Sequence, residues 1–404
     1  MEGQAQGAVT RPTDAVVAGH ICLDIIPDLS ALLPAHLAGL FRPGNLTKVG
    51  AVTLSTGGAV SNTGLALHRL GIRTQLMGKV GDDLLGQAVR QIVAAHGPHL
   101  ADGMVVDATV NTSYTVVINP PGIDRIFLHH PGANDTFGAD DVRYDVVAEA
   151  RLFHFGYPPL MDRTFADDGA ELVEIFRRVK ALGLTTSLDM AVPDPGSSAG
   201  QADWRAILAA LMPFVDLFLP SIEESLFMLR RATYEDFLCR GEGAGFLAQV
   251  TPALLSELSS ELLALGGKVV GFKLGERGLY VRSAGAEVLA GLGHARPADL
   301  RTWARRELWA PCFQVQVVGT TGSGDCTIAG FLSALLRGMT LEEAVTAAVA
   351  VGACNVEAAD ALSGVRSWEE TWRRVEAGWA RHPLVLDAPG WQPDARGRFW
   401  VGPA

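Results

Sequence analysis

The fold is decided by the stretch Phe313-Gln-Val-Gln-Val-Val-Gly-Thr-Thr-Gly-Ser-Gly-Asp-Cys-Thr-Ile-Ala-Gly-Phe331. Its pattern predicts a buried strand over Phe313 to Val318, then a turn of small residues over Gly319 to Gly324. A helix follows, with Asp325 in its first turn. The first amides of a helix have no intrahelical partners and form the positive end of its dipole, so they attract phosphate. A carboxylate at this place suits proton removal from a hydroxyl during phosphoryl transfer.

The alternative for an isolated Gly-Ser-Gly-Asp is structural. Asp325 would then cap the helix, and the glycines would shape an ordinary strand-to-helix turn, because short glycine motifs recur by chance. The rest of the chain decides between these interpretations.

Composition limits the class of protein. The chain has 404 residues, of which 48% are hydrophobic and 19% charged, which is typical of a globular enzyme. A net charge of −11 argues against nucleic acid or an anionic membrane as the main partner. The start of the chain lacks a signal-peptide pattern and no apolar run reaches spanning length, so we expect a cytoplasmic protein. Scattered cysteines indicate reduced thiols rather than disulfides: Cys22, Cys239, Cys312, Cys326 and Cys354.

Strand-like and helix-like segments alternate along the chain, which predicts an α/β fold with a doubly wound, mostly parallel sheet flanked by helices. Ligands bind such sheets at the carboxyl ends of the strands. The predicted strands are Ala15 to Gly19, Val52 to Thr56, Thr74 to Gly78, Leu152 to Phe155, Thr185 to Asp189, Leu217 to Leu219 and Lys268 to Lys273, and the stretch Gly19 to Asp24 is predicted as a turn. The predicted helices include Asn62 to Leu70, Asp83 to Ala95, Gly169 to Leu182 and Trp204 to Leu211.

Three further divisions are predicted. Residues 1–13 form a flexible tail, residues 14–380 form the main domain, and residues 381–404 form a C-terminal extension packed on it.

A hairpin is predicted within the main domain, where Tyr114 to Ile118 and Arg125 to His129 are joined by a turn over Pro120 to Asp124. The segments 234–265 and 291–309 are interpreted as additions to the core.

Two distant signatures carry a family resemblance. The first is Gly57-Gly58, Asn62, Leu70-Gly71, Gly78-Lys-Val-Gly81-Asp-Asp83 and Gly86, and the second is Thr321-Gly-Ser-Gly-Asp325. With Asp24 after the first strand, they make the chain resemble the ribokinase-like (PfkB) carbohydrate kinases from Val16 to Arg366. That resemblance implies transfer of the γ-phosphate of ATP to a hydroxyl, usually on a sugar or nucleoside.

The resemblance also implies roles for individual residues. Asp325 is the general base, and the turn over 321–324 (Gly322, Ser323 and Gly324 included) is the anion hole. Substrate contacts are expected at Asp24, Gly57, Gly58, Asn62 and Asn134. Nucleotide contacts are expected at Lys273, Gly275, Gly278, Thr320, Thr321, Gly322 and Gly324. Glu224 is the expected Mg²⁺ residue, acting through water. A β lid is expected from about 22–56 and 111–131, with a possible homodimer through it.

Some of these residues have structural alternatives. Gly58 could serve only a tight turn, Asn62 could cap its helix, and Lys273 could be a solvated charge at a strand end. Ser221 stands where the family's magnesium element has Asn. Gly319 replaces an acid that helps to hold a monovalent cation, so such activation is not expected. Ala59 and Gly156 depart from the ribokinase pattern, which makes ribose an unlikely acceptor.

The leading hypothesis is therefore an ATP-dependent kinase for a small polyhydroxylated substrate. A nucleoside kinase of the same fold is the nearest alternative, with Tyr114, Phe127 and Tyr157 as possible stacking residues. A sugar- or nucleotide-binding regulator that has lost catalysis is the second. Neither a Gly-x-Gly-x-x-Gly fingerprint after the first strand nor a P-loop is present.

Overall fold

The computed structural model describes residues 11–31, 43–120 and 126–403. Most of the β-strands stand near the positions that their apolar patterns predict. They are β1 (Ala15–Gly19), β2 (Cys22–Pro27), β3 (Val52–Gly57), β4 (Thr74–Met77), β5 (Lys79–Gly81), β6 (Val105–Asp107), β7 (Tyr114–Ile118), β8 (Ile126–His130), β9 (Leu152–Gly156), β10 (Thr185–Asp189), β11 (Leu217–Phe218), β12 (Val269–Lys273), β13 (Leu279–Ser283), β14 (Glu307–Ala310), β15 (Gln392–Pro393) and β16 (Trp400–Val401).

The α-helices of the described residues connect these strands. They are α1 (Ala59–Arg69), α2 (Leu84–His96), α3 (Tyr144–Val147), α4 (Asp162–Ala181), α5 (Ser198–Gln201), α6 (Trp204–Leu211), α7 (Ile222–Leu229), α8 (Arg231–Ala244), α9 (Pro252–Ala264), α10 (Ala286–Leu289), α11 (Ser323–Leu336), α12 (Leu341–Asn355) and α13 (Trp368–Glu376). None of these helices is long and apolar enough to cross a membrane.

The central sheet has the strand order β15-β16-β14-β13-β12-β11-β10-β9-β1-β4. Pairing is parallel from β4 to β12, and β13, β14, β16 and β15 then add antiparallel. Along β1, Val16 and Ala18 enter one buried apolar cluster, whereas Ala15 and Val17 enter another. Side chains alternate between the two faces of a sheet along a strand, so both faces of this sheet are buried. Helices cover both faces of such a parallel sheet. This confirms the predicted doubly wound α/β fold.

A separate lid sheet has the order β3-β2-β7-β8. Its register places Asp24, Ser55, Thr115 and His129 side by side on one face. Ile25, Leu54, Val116 and Leu128 lie side by side on the other face. Positions 32–42 of the predicted lid and 121–125 of the predicted hairpin turn lie outside the described residues. The lid therefore has one polar face and one apolar face.

The predicted strand over Phe313 to Val318 is wrong. Phe313 makes a single bridge to Arg381, and Val317 and Val318 are 60% and 59% exposed. The neighbouring strand β14 lies upstream and pairs with β16 from the end of the chain. A strand needs a partner, and here the distant C-terminal segment takes that place at the sheet edge.

Other element predictions also need correction. Cys22 to Asp24 belong to strand β2 rather than to a turn. The supposed addition 234–265 contains α9, whose Leu255, Leu258 and Leu262 are fully buried. A parallel connection from β11 to β12 requires such a crossover helix, so α9 is part of the core. The supposed addition 291–309 likewise ends in β14 of the central sheet.

The C-terminal residues lie along the edge of the central sheet. Trp391 packs against Trp309 at a ring separation of 6.4 Å, and Trp400 Nε1 donates to the carbonyl of Leu384 at 2.8 Å. Both β15 and β16 extend the sheet beyond β14. Residues 1–10 of the predicted tail lie outside the described residues.

Candidate active site

Two adjoining cavities flank the turn over residues 320–324. The first, of about 920 Å³, lies under the lid sheet and is called the lid-side cavity. The second, of about 470 Å³, lies against α12 and is called the helix-side cavity. The two cavities share five lining residues, which are Lys273, Gly275, Thr320, Ser323 and Gly324. A molecule in one cavity can therefore meet a molecule in the other across this turn.

Asp325 lies at the junction, in the first turn of α11. Its side chain is buried yet lines the lid-side cavity. Thr63 Oγ1 donates to Oδ1 at 3.2 Å, and Asn62 Nδ2 and the Tyr157 hydroxyl donate to Oδ2 at 3.0 and 2.7 Å. The start of helix α1 thus orients a carboxylate carried by the start of α11. Burial and the nearby Asp325 raise the pKa of Tyr157 well above its usual value, so its hydroxyl remains a donor.

The turn before α11 depends on Gly322. Its φ of +70° is in the left-handed region, and a Cβ there would lie 2.7 Å from the Cβ of Ala361. The Ser323 amide donates to the Thr320 carbonyl at 3.2 Å, which closes the turn. This backbone brings the start of α11, with its amides and its dipole, to the wall between the two cavities.

A buried ion pair borders the same wall. Lys273 Nζ, at the end of β12, lies 2.6 Å from Oδ1 of Asp189 at the end of β10. Burial lowers the pKa of Lys273, but Asp189 and Glu224 outweigh that effect and raise it to about 12. Burial raises the pKa of Asp189 to about 6 and that of Glu224 to about 8, although Lys273 opposes both shifts. Lys273 is therefore a paired, buried cation rather than a solvated charge.

Glu224 has a structural role at the start of α7. Ser221 and Glu224 form a capping box, in which the Ser221 amide donates to Glu224 Oε2 at 2.6 Å and the Glu224 amide donates to Ser221 Oγ at 3.1 Å. Glu224 also lines the lid-side cavity beside Lys273. Ser221 therefore caps the start of α7, and Glu224 still lines the lid-side cavity.

The glycine pair before α1 allows close packing against the lid. A Cβ on Gly57 would lie 2.5 Å from Oδ2 of Asp24. Gly58 has φ +91° and ψ 163°, a region that is essentially restricted to glycine, and a Cβ there would lie 2.5 Å from the His20 carbonyl. Burial raises the pKa of Asp24 to about 6. The residues predicted to bind substrate, Asp24, Gly57, Gly58 and Asn62, all line the lid-side cavity.

The predicted nucleotide residues fall into three groups. Lys273, Gly275, Thr320 and Gly324 line both cavities, Gly278 lines the helix-side cavity, and Thr321 and Gly322 line the lid-side cavity. The helix-side cavity has an apolar wall from α12 and the chain after β14: Val315, Val317, Val349, Ala353 and Val356. Such an apolar wall suits a flat aromatic ring.

Comparison with known proteins places the chain in a family. Residues 12–367 match the model described as pfkB family carbohydrate kinase. This chain belongs to the PfkB family. Fructokinase-2 from Oryza sativa subsp. japonica is 25% identical over 196 residues, which are 48% of this chain and 54% of that protein. The matched part therefore spans about half the length of that PfkB relative.

Solved structures agree on the fold. A ribokinase from Arabidopsis thaliana complexed with ribose and ATP has a TM-score of 0.65 and 18% identity, covering 89% of this chain and 98% of its own. A fructokinase with bound ATP from Xylella fastidiosa has a TM-score of 0.65 and 19% identity, covering 91% of this chain and 99% of its own. At these identities the likeness shows a shared PfkB fold.

Packing explains two departures from the family pattern. A Cβ on Gly319 would lie 2.8 Å from the Ala359 carbonyl, so an acidic side chain has no room there. A Cβ on Gly156 would lie 2.1 Å from the Cβ of Ala59, so these two positions are small because they touch. Larger residues at either place would require the backbone to shift.

Asn134 does not line the lid-side cavity. It is fully buried, its Nδ2 donates to the Ile21 carbonyl at 2.9 Å, and its Oδ1 accepts from the Ile21 amide at 3.2 Å. The Asn134 side chain thereby satisfies both backbone groups of Ile21, as a neighbouring strand would, at the point between β1 and β2. Its predicted substrate contact is replaced by a role in positioning the chain that leads to Asp24.

Several site residues were not predicted from the sequence. Asp189 follows the pattern of a buried strand and stands at its carboxyl end, a position that could have indicated it. Thr63 lies next to the predicted Asn62. His20, Cys22, Thr115 and His129 also line the lid-side cavity, but they come from the β1–β2 connection and from strands β2, β7 and β8, and they share no sequence motif.

Proposed function

We propose that this PfkB-family protein is an ATP-dependent kinase that phosphorylates a hydroxyl of a neutral sugar. The observation that carries the proposal is the position of Asp325, a buried carboxylate at the start of a helix, where two cavities meet. ATP occupies the helix-side cavity, with its adenine against α12 and its γ-phosphate at the 321–324 turn. The sugar occupies the lid-side cavity. Both ligands then approach the same turn from opposite sides.

Asp325 acts as the general base in this proposal. Its Oδ2 accepts two hydrogen bonds, and among the described residues Oδ1 accepts one, from Thr63. Oδ1 therefore has room for a hydroxyl of the sugar. That hydroxyl loses its proton to Asp325 as the oxygen–phosphorus bond forms, and the bond from the γ-phosphorus to the bridging oxygen of ADP breaks. The first amides of α11 stabilise charge on the transferring phosphoryl group.

Mg²⁺ fits the residues beside Lys273. Oδ2 of Asp189 is buried and has no hydrogen-bond partner among the described residues, and Glu224 lines the cavity nearby. Carboxylate oxygens and water are the ligands that Mg²⁺ prefers. Glu224, acting through water, and Asp189 would hold the ion, which neutralises charge on the nucleotide phosphates when bound.

The charge of the lid-side cavity favours a neutral acceptor. Among the described lining residues, Lys273 is the only lysine or arginine, and Asp189 pairs with it at the phosphate end. Burial lowers the pKa of His20 to about 3 and also lowers that of His129, so neither ring is cationic at neutral pH. The acidic lining residues are Asp24, Asp194, Glu223, Glu224 and Asp325; Glu224, whose pKa is raised to about 8, is mostly protonated at neutral pH, whereas Asp24, whose pKa is raised to about 6, is mostly ionised. Such a surface repels sugar phosphates and sugar acids and binds the hydroxyl groups of neutral sugars.

The first experiment is a screen of ADP release with neutral ketoses and aldoses, sugar phosphates, sugar acids and nucleosides. Fructose is the first candidate, because Fructokinase-2 is among the relatives. Turnover with a neutral sugar supports the proposal. Turnover with nucleosides alone would favour the nucleoside kinase, for which Phe127 is the exposed lid residue at the cavity. Binding of sugar and ATP without ADP release would indicate the regulator.

Replacing the proposed base tests the mechanism. We expect Asp325→Asn to lower kcat by about 10²- to 10⁴-fold, because the amide cannot accept the hydroxyl proton. Nucleotide affinity and thermal midpoint should stay near the parent values, as measured by calorimetry and circular dichroism. Asp145→Asn changes the charge equally at an exposed position and serves as the control. Parental turnover by Asp325→Asn would contradict the role of Asp325.

We also propose that two copies of the chain pair through the apolar face of the lid. Val52, Leu54, Ile126 and Leu128 are 56%, 46%, 44% and 51% exposed there. A double change of Leu54→Lys and Leu128→Lys should convert a dimer to a monomer in light scattering after size exclusion. Leu238→Lys, at an equally exposed leucine on α8, is the matched control. A parent that is monomeric at high concentration would refute the pairing.

A further inference from the structure

We propose that His20, Cys22 and His129 form a binding site for one thiophilic divalent cation, of which Zn²⁺ is the model, inside the lid-side cavity. One ligand atom from each residue can be chosen so that all lie within 4.8 Å of one another. Nε2 of His20 and Nε2 of His129 are 3.5 Å apart. All three residues line the cavity, so a cation can reach them from it.

The donor set matches this class of ion. Imidazole nitrogen and thiolate sulfur are the ligands that Zn²⁺ prefers, at about 2.0–2.3 Å. Such bonds in a tetrahedron separate the ligand atoms by about 3.3–3.8 Å. The histidine pair already has this separation, and the thiol sulfur lies within 4.8 Å of an imidazole nitrogen of each histidine. The carboxylates near Lys273 offer only oxygen ligands, which suit Mg²⁺ instead.

Neighbouring polar groups contact two of the three ligands, His129 and Cys22. Thr115 Oγ1 lies 2.9 Å from Nδ1 of His129 and 3.5 Å from the sulfur of Cys22. When Thr115 accepts from the Nδ1 hydrogen, the lone pair of Nε2 points toward His20. The Cys22 sulfur lies 3.4 Å from Oδ1 of Asp24. Either this carboxylate oxygen or a water in the cavity supplies the fourth ligand. Coordination removes the thiol proton, which is released to solvent.

The site joins two parts of the molecule. His129 lies on lid strand β8, whereas His20 and Cys22 lie where the chain passes from central strand β1 to lid strand β2. A bound cation would hold the lid against the body and fill the acceptor end of the cavity. We therefore infer that it inhibits by excluding the sugar, a consequence that rests on the proposed kinase activity.

The binding test uses the full chain without a polyhistidine tag and without ATP or sugar. Titration with Co²⁺ should show one equivalent with thiolate charge-transfer absorption and tetrahedral visible bands. Zn²⁺ should displace it, and calorimetry in buffers of different ionisation enthalpy should show about one proton released. Cys22→Ser should abolish the charge-transfer band, and His129→Gln, on an exposed lid strand, should weaken Co²⁺ and Zn²⁺ binding at least tenfold.

Two matched controls exclude other sites. His130→Gln changes the next residue of β8, which pairs with Tyr114 on the opposite face of the lid. Cys239→Ser removes the exposed cysteine of the chain. Both should bind the cations as the parent does. A parent without the charge-transfer band, or equal binding by His129→Gln, would overturn the site.

The kinase assay tests the consequence separately. Zn²⁺ should raise the apparent KM for the sugar without lowering kcat, and excess Mg²⁺–ATP should not relieve the inhibition. Competition with ATP instead of the sugar would overturn this placement of the cation. Absence of any kinase activity would refute the proposed function and leave the Co²⁺ result intact, so the two failures are distinguishable.

Discussion

At the scale of single residues, the buried pair of Lys273 and Asp189 explains how a cation persists at the wall between the two cavities, in an otherwise acidic lining. A buried charge is strongly unfavourable unless it is paired and hydrogen-bonded. Asp189 is fully buried, and its contact with Lys273 is 2.6 Å. The lysine is thereby held at the wall that both cavities share, where the phosphates of a nucleotide would lie.

Removing the lysine should therefore affect both stability and activity. We expect Lys273→Met to lower the free energy of unfolding by about 3–5 kcal/mol, because Asp189 is left as a buried charge without a partner. Urea denaturation at pH 7 measures this change. The KM for ATP should also rise, because the positive charge beside the phosphates is lost.

A second variant separates the two effects. Lys273→Met combined with Asp189→Asn should recover most of the lost stability but none of the lost ATP affinity. Arg301→Met, which breaks the exposed pair with Asp299, should leave the urea midpoint unchanged. A single Lys273→Met variant as stable as the parent would show that the pair is not needed in the fold.

At the scale of elements, the starts of α1 and α11 meet. Helix α1 supplies Asn62 and Thr63 as donors, and α11 supplies Asp325 as their acceptor. The approach of α1 depends on Gly58, whose backbone conformation excludes other residues and which packs against His20. A small change at this glycine should therefore be felt at the carboxylate.

Gly58→Ala tests this dependence. We expect a loss of about 3 kcal/mol or more in the free energy of unfolding, because the backbone strain adds to the overlap with the His20 carbonyl. The KM for the sugar should rise. Gly338→Ala is the matched control, because Gly338 has φ +73° with nothing near its missing Cβ. It should cost about 1–2 kcal/mol, the left-handed strain by itself, with parental KM. Equal losses in both variants would contradict the packing argument.

The elements that could be predicted from the sequence are those that local pattern determines. Strand β10 and helix α6 were predicted with their observed bounds, because buried strands and amphipathic helices have their own periodicity. Phe313 to Val318 has the same apolar pattern but no strand partner. Which segment occupies a sheet edge depends on pairing with residues far along the chain, here β16, and local pattern does not contain that information.

The residues of the candidate site also fall into two groups, those that contiguous motifs indicate and those that only the fold brings together. Asp325, Asn62 and Gly58 stand in contiguous motifs, and the structure brings them together as predicted. Asn134 carries the chemistry of a sugar ligand, but its position against Ile21 shows a backbone role. His20, Cys22 and His129 meet only because lid strand β8 folds over the end of β1, so sequence inspection could not associate them.

At the scale of the whole molecule, the central sheet contains an ionisable group that the proposed chemistry does not use. His154 lies in β9, is fully buried, and has its Nδ1 3.0 Å from Ser187 Oγ. Burial lowers its pKa to about 3. The unfolded chain binds a proton at this residue near pH 6.5, whereas the native protein does not until the pH is far lower. Native stability should thus be complete above about pH 6.5 and decrease as the pH falls toward 3.

His154→Gln should weaken this pH dependence. Between pH 7 and pH 5 the parent should lose about 2 kcal/mol through His154, at about 1.4 kcal/mol per pH unit. The variant should lack this part of the loss, although it is less stable at pH 7. Urea denaturation at both pH values measures the difference, and the remaining histidines are common to both proteins. An identical pH dependence in the two proteins would show that the pKa of His154 is the same in the native and unfolded states, which would contradict the lowered pKa.

The contact between Asn62 and Asp325 joins residues that are 263 positions apart. During synthesis Asn62 emerges from the ribosome long before Asp325, the proposed base. A nascent chain that stops short of Asp325 therefore lacks a complete reaction centre. Polypeptides of this protein that terminate before Asp325 should consume no ATP, because the proposed base is missing from them.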